Sequence, residues 1–258
     1  MSHDPLLIAQ GLHKRFGGVH ANNNISLTIP RDKIFAVIGP NGAGKSTLLN
    51  LLSGVYQSDG GSLHFDGRAL AGMRAFERVK LGIARTFQKI RLFKNLSLVE
   101  NVQAGFHLHH QMPVWQYLIP GAARRIDAER SAHDAHALLA LVGLDARAAE
   151  RAGSLAYGQQ RMLEIARALA TKPKLLMLDE PAAGLNAMEM EFLLARLQEF
   201  KARGITVVLV EHNMDLVMRV SDHVFVMDHG EYLFDGLPAI VQKNPKVIEA
   251  YLGADLSS

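Results

Sequence analysis

Short apolar runs separated by Gly, Asn and Pro dominate the first third of the chain. These runs, at positions 6–9, 25–29 and 34–38, consist of aliphatic and β-branched residues. Such a composition is typical of β-strands. The segment LHFDG at 63–67 ends in Asp-Gly, which is a strong indication of a hairpin turn. The pattern therefore predicts a first third made mainly of strands.

From about Leu96 onward the apolar positions recur every three or four residues, which indicates amphipathic helices. The predicted helices cover 97–110, 122–142, about 159–171 and 187–203. Strands are predicted at 174–178, 205–210, 223–228 and 231–235, before a helical tail. Strands that alternate with helices on both sides of a helical middle section favour a mixed α/β core with a helical insertion.

Composition excludes several classes of function. The 258 residues contain no Cys, which excludes disulfides, thiolate metal sites and cysteine nucleophiles and favours a reducing, cytoplasmic setting. The formal net charge of +3 gives no broad basic footprint, so no nucleic-acid partner is expected. No apolar run approaches the roughly 20 residues of a membrane-spanning helix, and the first ten residues lack the features of a signal peptide. We expect a protein that serves a membrane, if at all, from its surface.

The segment GPNGAGKS at 39–46 follows an apolar strand and matches the phosphate-loop pattern. A strand, a Gly-rich turn and a helix N-terminus in this order direct backbone N–H groups at an anion. Lys45 is expected to neutralise the β- and γ-phosphates, and Ser46 to ligate Mg²⁺. The segment predicts a nucleotide-phosphate site formed by Gly39, Pro40, Asn41, Gly42, Ala43, Gly44, Lys45, Ser46 and Thr47.

A second acidic motif, LLMLDE at 175–180, places two carboxylates at the end of a predicted aliphatic strand. Asp179 is expected in the Mg²⁺ shell, and Glu180 is expected to orient or deprotonate an attacking water. Together with the phosphate loop this motif indicates a nucleotide-hydrolysing site. It leaves open a kinase, a GTPase, a helicase and a transporter motor.

The segment SLAYGQQRMLEIARALATKPKLLMLDEP discriminates between these classes, because it resembles the signature helix and acidic strand of the ATP-binding cassette (ABC) family. The resemblance extends over nearly the whole chain. It implies an α/β fold of the ABC-type P-loop ATPase, with a mixed-sheet core, an antiparallel β subdomain and a helical insertion. The implied division of this single domain is a nucleotide-binding core at 1–88 and 159–235, a helical subdomain with the signature at 89–158, and a helical tail at 236–258.

The same resemblance implies roles for further residues. Phe16 would stack on adenine, Gln88 would reach the metal and the water, and His212 would contact the γ-phosphate. The signature would contact ATP held by a partner subunit, through Ala156, Gly158 and Gln159. The implied catalytic set is Glu180, His212, Lys45 and Gln88, and the implied Mg²⁺ ligands are Ser46, Gln88 and Asp179.

Two positions depart from the family pattern. Ala156 stands where the signature usually has Ser, which removes one hydrogen bond worth about 1 kcal/mol, or up to about 3 kcal/mol if it is charged. Asn186 replaces the usual Asp of the interface loop 182–186 and retains hydrogen-bonding capacity. Both departures leave open whether two composite ATP sites are equally active.

The variant LAYGQQRMLEIARALA, the loop PAAGLN, RTFQKIRLF at 85–93 and the closing NPKVIEAYLG resemble the import ATPases for branched-chain amino acids. The long connector around Trp115 is similar to that of the first of their two ATP-binding subunits. The implied partners are a second ATP-binding subunit, or a second copy of this chain, two membrane permeases and, indirectly, a periplasmic solute-binding protein. The implied location is the cytoplasmic face of the bacterial inner membrane, and relatives that import amides or urea keep the solute open.

Other classes fit less well. DNA-repair ATPases of the superfamily separate the phosphate loop from the signature by long coiled coils, and sustained heptads are missing here. Ribosome-associated cassette proteins carry two cassettes, and a simple P-loop kinase leaves the signature helix unexplained. The apolar stretch PVWQYLI at 113–119 is either a contact to a membrane subunit or lipid, or a loop folded onto its own helices. His107, His109 and His110 show no matching carboxylate spacing for a metal site.

Overall fold

The computed structural model describes residues 4–106 and 122–255, so the connector around Trp115, the stretch 113–119 and His107, His109 and His110 lie outside the described residues. The chain divides into two compact units. The first comprises Met1–Arg85 and Lys174–Ser258, and the second comprises Thr86–Pro173. Within the described residues, no helix has both the length and the apolar character needed to cross a membrane.

The first unit contains an antiparallel sheet and a mainly parallel sheet. The antiparallel sheet has the order β2-β1-β4-β5, and its strands are β1 (Leu7–Phe16), β2 (Val19–Ile29), β4 (Gly60–Phe65) and β5 (Arg68–Ala69). The other sheet has the order β10-β9-β3-β8-β7-β6, from β3 (Ile34–Ile38), β6 (Ile83–Arg85), β7 (Leu175–Asp179), β8 (Thr206–Val210), β9 (His223–Asp228) and β10 (Glu231–Gly236). In it only β10 runs antiparallel to its neighbour.

Helices of the first unit connect and cover these strands. They are α1 (Lys45–Ser53), α2 (Ala75–Lys80), α6 (Ala187–Ala202), α7 (Met214–Val220), α8 (Pro238–Val241) and α9 (Pro245–Asp255). All five residues of β3 are buried. Its two faces enter different cores: Phe35 and Val37 pack with the leucines of α1, whereas Ala36 and Ile38 pack with valines of α7, α8 and α9. A strand covered on both faces is apolar throughout, which explains the continuous apolar run at 34–38.

The second unit is helical in its described part. It contains α3 (Leu98–Phe106), α4 (Ala122–Leu141) and α5 (Tyr157–Leu169), with short 3-10 turns at Asp145–Arg147 and Ala152–Ser154. The sequence placed the helical subdomain at 89–158, whereas this unit extends to Pro173 and includes all of α5. The reason is packing, since α5 contacts both α3 and α4.

Most predicted elements are present, with shifted ends, and three were missed. The hairpin at Asp66-Gly67 is formed by β4 and β5. The predicted strands at 6–9 and 25–29 are too short, because β1 and β2 pair along nearly their whole length through irregular registers. The helices α2 and α7 and the strand β6 were not predicted. Each has only three to seven residues, which is too few for a periodicity to be recognised.

Gly105 of α3 lies directly against the C-terminal end of α5. A Cβ atom placed there would lie 2.4 Å from the backbone oxygen of Arg167 and 2.7 Å from the Cβ of Ala170. We expect Gly105→Ala to lower the free energy of unfolding by about 1–2 kcal/mol, because overpacking of about 1–3 kcal/mol exceeds the gain of about 1 kcal/mol in helix propensity. Urea denaturation measures this, with Gln103→Ala on the same helix as control. A stabilised Gly105→Ala would contradict the close contact.

Candidate active site

The loop between β3 and α1 contains three glycines with positive φ angles, and its backbone lies close to the neighbouring strands β9 and β2. Gly39, Gly42 and Gly44 have φ angles of +149°, +81° and +90°. A Cβ at Gly39 would lie 2.1 Å from the backbone oxygen of Met227, and one at Gly44 would lie 2.3 Å from that of Ala21. The backbone therefore takes a course that only glycine permits at these positions.

Lys45, the first residue of α1, turns its side chain back over this loop. Its Nζ donates hydrogen bonds to the backbone oxygens of Gly39, at 2.7 Å, and Pro40, at 2.8 Å. Burial lowers the pKa of Lys45, and the nearby carboxylates of Glu180 and Asp179 oppose that shift. A partly desolvated ammonium group held against the backbone of a glycine-rich loop suits a polyphosphate ligand.

Asp179 ends β7 and is buried. Its Oδ2 accepts a hydrogen bond of 2.9 Å from Arg85, whose other terminal nitrogen donates to Asn50 Oδ1, at 2.6 Å, and to Ser53 Oγ, at 3.1 Å. Asn50 and Ser53 lie on α1. Arg85 therefore ties the carboxylate to the helix that follows the phosphate loop. Among the described residues, the buried Oδ1 of Asp179 has no hydrogen-bond partner.

Glu180 and His212 follow adjacent parallel strands. Asp179 of β7 pairs with Val210 of β8, so the residues after them emerge at the same edge of the sheet. Glu180 has a φ of +48°, and its backbone N–H donates to the oxygen of Val210 at 2.9 Å. This left-handed turn, uncommon for a residue other than glycine, redirects the chain at the candidate catalytic carboxylate. His212 is exposed.

Glu211 organises the loops on either side of this edge. Its fully buried carboxylate accepts hydrogen bonds from the backbone N–H groups of Ala182, at 2.8 Å, His212, at 3.1 Å, and Asn213, at 3.4 Å. Burial raises the pKa of Glu211, and these three donors oppose the shift. The loop after Glu180 and the loop that carries His212 are therefore bound to one carboxylate.

Phe16 lies at the end of β1 and is 44% exposed. Its ring meets Tyr56 edge-on, with centroids 5.3 Å apart, and the Lys14 ammonium lies 5.5 Å from its centroid. A half-exposed aromatic ring supported at its edge has the geometry for stacking on a planar ligand.

The signature segment and Gln88 belong to the second unit. Ala156 precedes α5, and the backbone N–H of Ala156 is 3.4 Å from Oε1 of Gln159, which also accepts a 2.6 Å hydrogen bond from Arg147. Gly158 is buried in the first turn, and the side chain of Gln88 is exposed. The phosphate loop, Asp179, Glu180, His212 and Phe16 all lie in the first unit.

Asn186, the second departure from the family pattern, has a visible local role. It is the N-cap of α6: its side chain accepts from the backbone N–H of Glu189, and Glu189 accepts in return from that of Asn186, both at 3.0 Å. Asn is as good an N-cap as Asp, so the replacement preserves the helix start.

The first unit offers chemistry that fits a nucleotide with a divalent cation. The glycines leave a cradle that side chains would fill, and the hydroxyls of Ser46 and Thr47 lie in the first turn of α1. The unpartnered buried oxygen of Asp179 is an oxygen ligand of the kind that Mg²⁺ prefers. The residues present therefore fit both groups.

Three residues that shape this site were missed by sequence reasoning: Arg85, Asn22 and Glu211. Asn22 is fully buried in β2, and its Nδ2 donates to the backbone oxygen of Gly44 at 3.3 Å. Asn22 lies in a polar stretch, and Arg85 follows a run of two apolar residues that is too short to reveal a strand. Glu211 carried a recognisable indication, namely a carboxylate directly after the mainly aliphatic strand TVVLV.

A strand, a glycine loop over a lysine, and a buried carboxylate at the end of a neighbouring parallel strand define a nucleotide-binding protein of the phosphate-loop class. Solved structures agree in fold. A nucleotide-free ATP-binding cassette from an ABC transporter has a TM-score of 0.84 and 30% identity, covering 96% of this chain and 99% of the other. The ADP conformation of an ATP-binding cassette of an ABC transporter has a TM-score of 0.84 and 31% identity, covering 97% and 99%.

Sequence comparisons define the family. The ABC transporter profile matches residues 22–183, and the profile of the branched-chain amino acid ATP-binding cassette transporter matches residues 233–256. The chain is 44% identical to the high-affinity branched-chain amino acid transport ATP-binding protein BraF of Pseudomonas aeruginosa, and 40% identical to LivG of Escherichia coli strain K12. Both alignments cover 96% of this chain and 98% of the relative. The chain belongs to the ABC transporter ATPases, as the sequence predicted, and it binds and hydrolyses ATP as a member of that family.

Proposed function

We propose that this chain is the ATP-hydrolysing subunit of an importer for branched-chain amino acids. The observation that carries the proposal is the near full-length identity of 40–44% to ATP-binding proteins of branched-chain amino acid transport. The match of residues 233–256 to a profile of the same transporters supports it independently. The alternative is the same motor serving an amide, urea or another amino acid.

In this proposal the chain is a peripheral subunit on the cytoplasmic face of the bacterial inner membrane. It pairs with a second ATP-binding subunit, or with a copy of itself, and acts on two membrane permeases and, through them, on a periplasmic solute-binding protein. Each ATP is enclosed between the phosphate loop of one subunit and Ala156, Gly158 and Gln159 of the other. Closure around ATP, followed by hydrolysis and reopening, drives the permeases.

Within one subunit each residue of the site has a separate role in binding or hydrolysing ATP. Phe16 holds the adenine, and the backbone of 39–44 with Lys45, Ser46 and Thr47 holds the phosphates. Ser46, Asp179 and Gln88 would hold Mg²⁺, which would supply positive charge to the phosphates. Glu180 orients the attacking water and takes its proton, and His212 donates a hydrogen bond to the γ-phosphate. The shared support of both loops by Glu211 favours the joint action of Glu180 and His212.

His212→Ala tests the γ-phosphate contact. We expect the ATPase rate of the assembled transporter to fall about 10²-fold or more, because one preorganised donor to developing charge is worth about that much. The matched control is His64→Ala on β4 of the antiparallel sheet, which should leave the rate unchanged. An unchanged ATPase rate in His212→Ala would show that this histidine does not contribute to hydrolysis.

The transport assignment is tested by co-purification and uptake. Tagged Glu180→Gln protein is expressed at native level in its source cells, the membranes are solubilised gently with ATP and Mg²⁺, and the co-purifying chains are identified by mass spectrometry. We expect two strongly hydrophobic permeases and a second cassette subunit. Recovery of ribosomes, DNA-bound proteins or only the tagged chain would contradict the transport assignment. Uptake of labelled leucine, isoleucine and valine, compared with amides and urea, in a strain that lacks this chain then identifies the solute.

A further inference from the structure

A buried arginine of α5 forms hydrogen bonds with the backbone of the segment that contains Gln88. Arg161 is completely buried, and its Nη1 donates to the backbone oxygen of Phe87 at 2.8 Å. Its Nη2 donates to the backbone oxygen of Gln88 at 3.0 Å. The planar guanidinium thus spans two successive carbonyls, which the single ammonium of a lysine cannot do in the same way.

The other end of the segment is held from the same helix. Glu164 accepts from Arg161 at 3.0 Å with Oε2, and its Oε1 accepts from the backbone N–H of Arg91 at 3.2 Å. One turn further along, Arg167 donates to the backbone oxygen of Arg91. Residues three apart lie on one helix face, so the three side chains form a row along the segment Phe87–Arg91.

A contribution to folding stability alone does not explain this row of charged side chains. Burial raises the pKa of Glu164, and the backbone N–H of Arg91 together with the charges of Arg161 and Arg167 opposes that shift. Buried ion pairs are often no better for stability than apolar side chains of similar volume. What the pair does provide is a set of directed hydrogen bonds to two carbonyls and one amide of a single loop.

We propose that Arg161 and Glu164 are positioning residues that fix the backbone of Phe87–Arg91 and thereby aim the side chain of Gln88. This inference rests on the role of Gln88 in the proposed function. We call Arg161 and Glu164 the clamp. The same helix begins with the signature residues, so within the second unit the clamp connects the surface that would contact the partner's ATP with this chain's own Gln88 segment. A displacement of α5 by the partner's nucleotide therefore moves the Gln88 backbone with it.

The test uses the assembled transporter and four variants. Arg161→Lys keeps the charge but cannot bond both carbonyls in the same way. The double variant Arg161→Met with Glu164→Met removes both charges of the pair together, so neither partner is left buried without the other. Gln88→Ala reports on the glutamine itself, and Ile165→Val, a buried residue of α5, is the control for a general loosening of the helix. The ATPase rate is measured against Mg²⁺ concentration at saturating ATP, ATP affinity is measured separately, and hydrogen exchange is followed at the amide of Arg91.

We expect Arg161→Lys and the double variant to raise the Mg²⁺ concentration for half-maximal rate, or to lower kcat, about tenfold, as for the loss of an outer partner of a metal ligand. Affinity for ATP should stay within about twofold, because the phosphate loop is intact. The Arg91 amide should exchange faster in the double variant, and Ile165→Val should match the wild type in all three measurements.

The outcomes distinguish a failure of the role of Gln88 from a failure of the positioning role of Arg161 and Glu164. If Gln88→Ala changes the Mg²⁺ dependence while the two clamp variants do not, the positioning role of Arg161 and Glu164 is wrong. If Gln88→Ala also leaves the Mg²⁺ dependence at the wild-type value, the proposed role of Gln88 is wrong, and the positioning role falls with it. An equal kinetic change in Ile165→Val, or unchanged exchange at Arg91 in the double variant, would likewise overturn the clamp.

Discussion

Replacement of Glu180 by glutamine should nearly abolish ATP hydrolysis while leaving ATP binding intact. The amide retains the shape and hydrogen-bonding reach of the carboxylate but cannot take a proton from water, and a positioned general base contributes about 10²–10⁴-fold to a rate. The left-handed backbone at this position, with φ of +48°, is equally accessible to either residue. We therefore expect turnover in the assembled transporter to fall at least about 10²-fold, with an ATP dissociation constant within a few-fold of the wild type.

The matched control is Glu189→Gln on α6. The Glu189 side chain accepts a hydrogen bond from the backbone N–H of Asn186, a capping role that glutamine also fulfils. Its ATPase rate should equal that of the wild type. Near-wild-type turnover in Glu180→Gln would remove Glu180 from the catalytic set.

The second large effect is expected at Gly44, where a methyl group has no space. A Cβ there would lie 2.3 Å from the backbone oxygen of Ala21 and 2.8 Å from Nδ2 of Asn22, and φ is +90°. The left-handed backbone costs an L-residue about 1–2 kcal/mol and overpacking about 1–3 kcal/mol. We expect Gly44→Ala to lose about 2–5 kcal/mol of unfolding free energy, measured by denaturation without nucleotide, and to bind ATP at least tenfold more weakly because the loop is displaced.

Gly42→Ala separates backbone strain from steric contact in the same loop. Gly42 has a φ of +81°, but among the described residues no atom that a Cβ would meet lies within 4 Å. Its loss of stability should be limited to the backbone cost of about 1–2 kcal/mol. Equal denaturation midpoints for Gly42→Ala and Gly44→Ala would show that the contacts of Gly44 with β2 do not matter for stability.

Prediction from the sequence succeeded for elements whose periodicity or apolar run was long. The run at 34–38 coincides with β3, and α6 (Ala187–Ala202) differs from the predicted helix by a single residue. It failed where a strand is polar: β2 includes three successive asparagines that no propensity argument would place in a sheet. Asn22 is accommodated there because its side chain is buried against the phosphate loop rather than because it favours a strand.

The candidate site shows the same division. The phosphate loop, the acidic strand and the signature could be identified from the sequence because each needs specific residue types at consecutive positions. Their individual roles in ATP hydrolysis stay predictions until the variants above are measured. The apolar patch at 113–119 and the histidines near 107–110 lie outside the described residues, so their interpretation stays as the sequence left it.

By itself the sequence determined the class of protein, because a phosphate loop, an acidic strand and a signature helix are local patterns whose chemistry depends on neighbours in the chain. Only the tertiary structure decided what holds these motifs in place. Arg85 and Asp179 are 94 positions apart, and Arg161 and Gln88 are 73 apart. Side chains that support a catalytic residue are chosen by proximity in the folded chain, and a contact over such a separation leaves no periodic trace in the sequence from which it could be predicted.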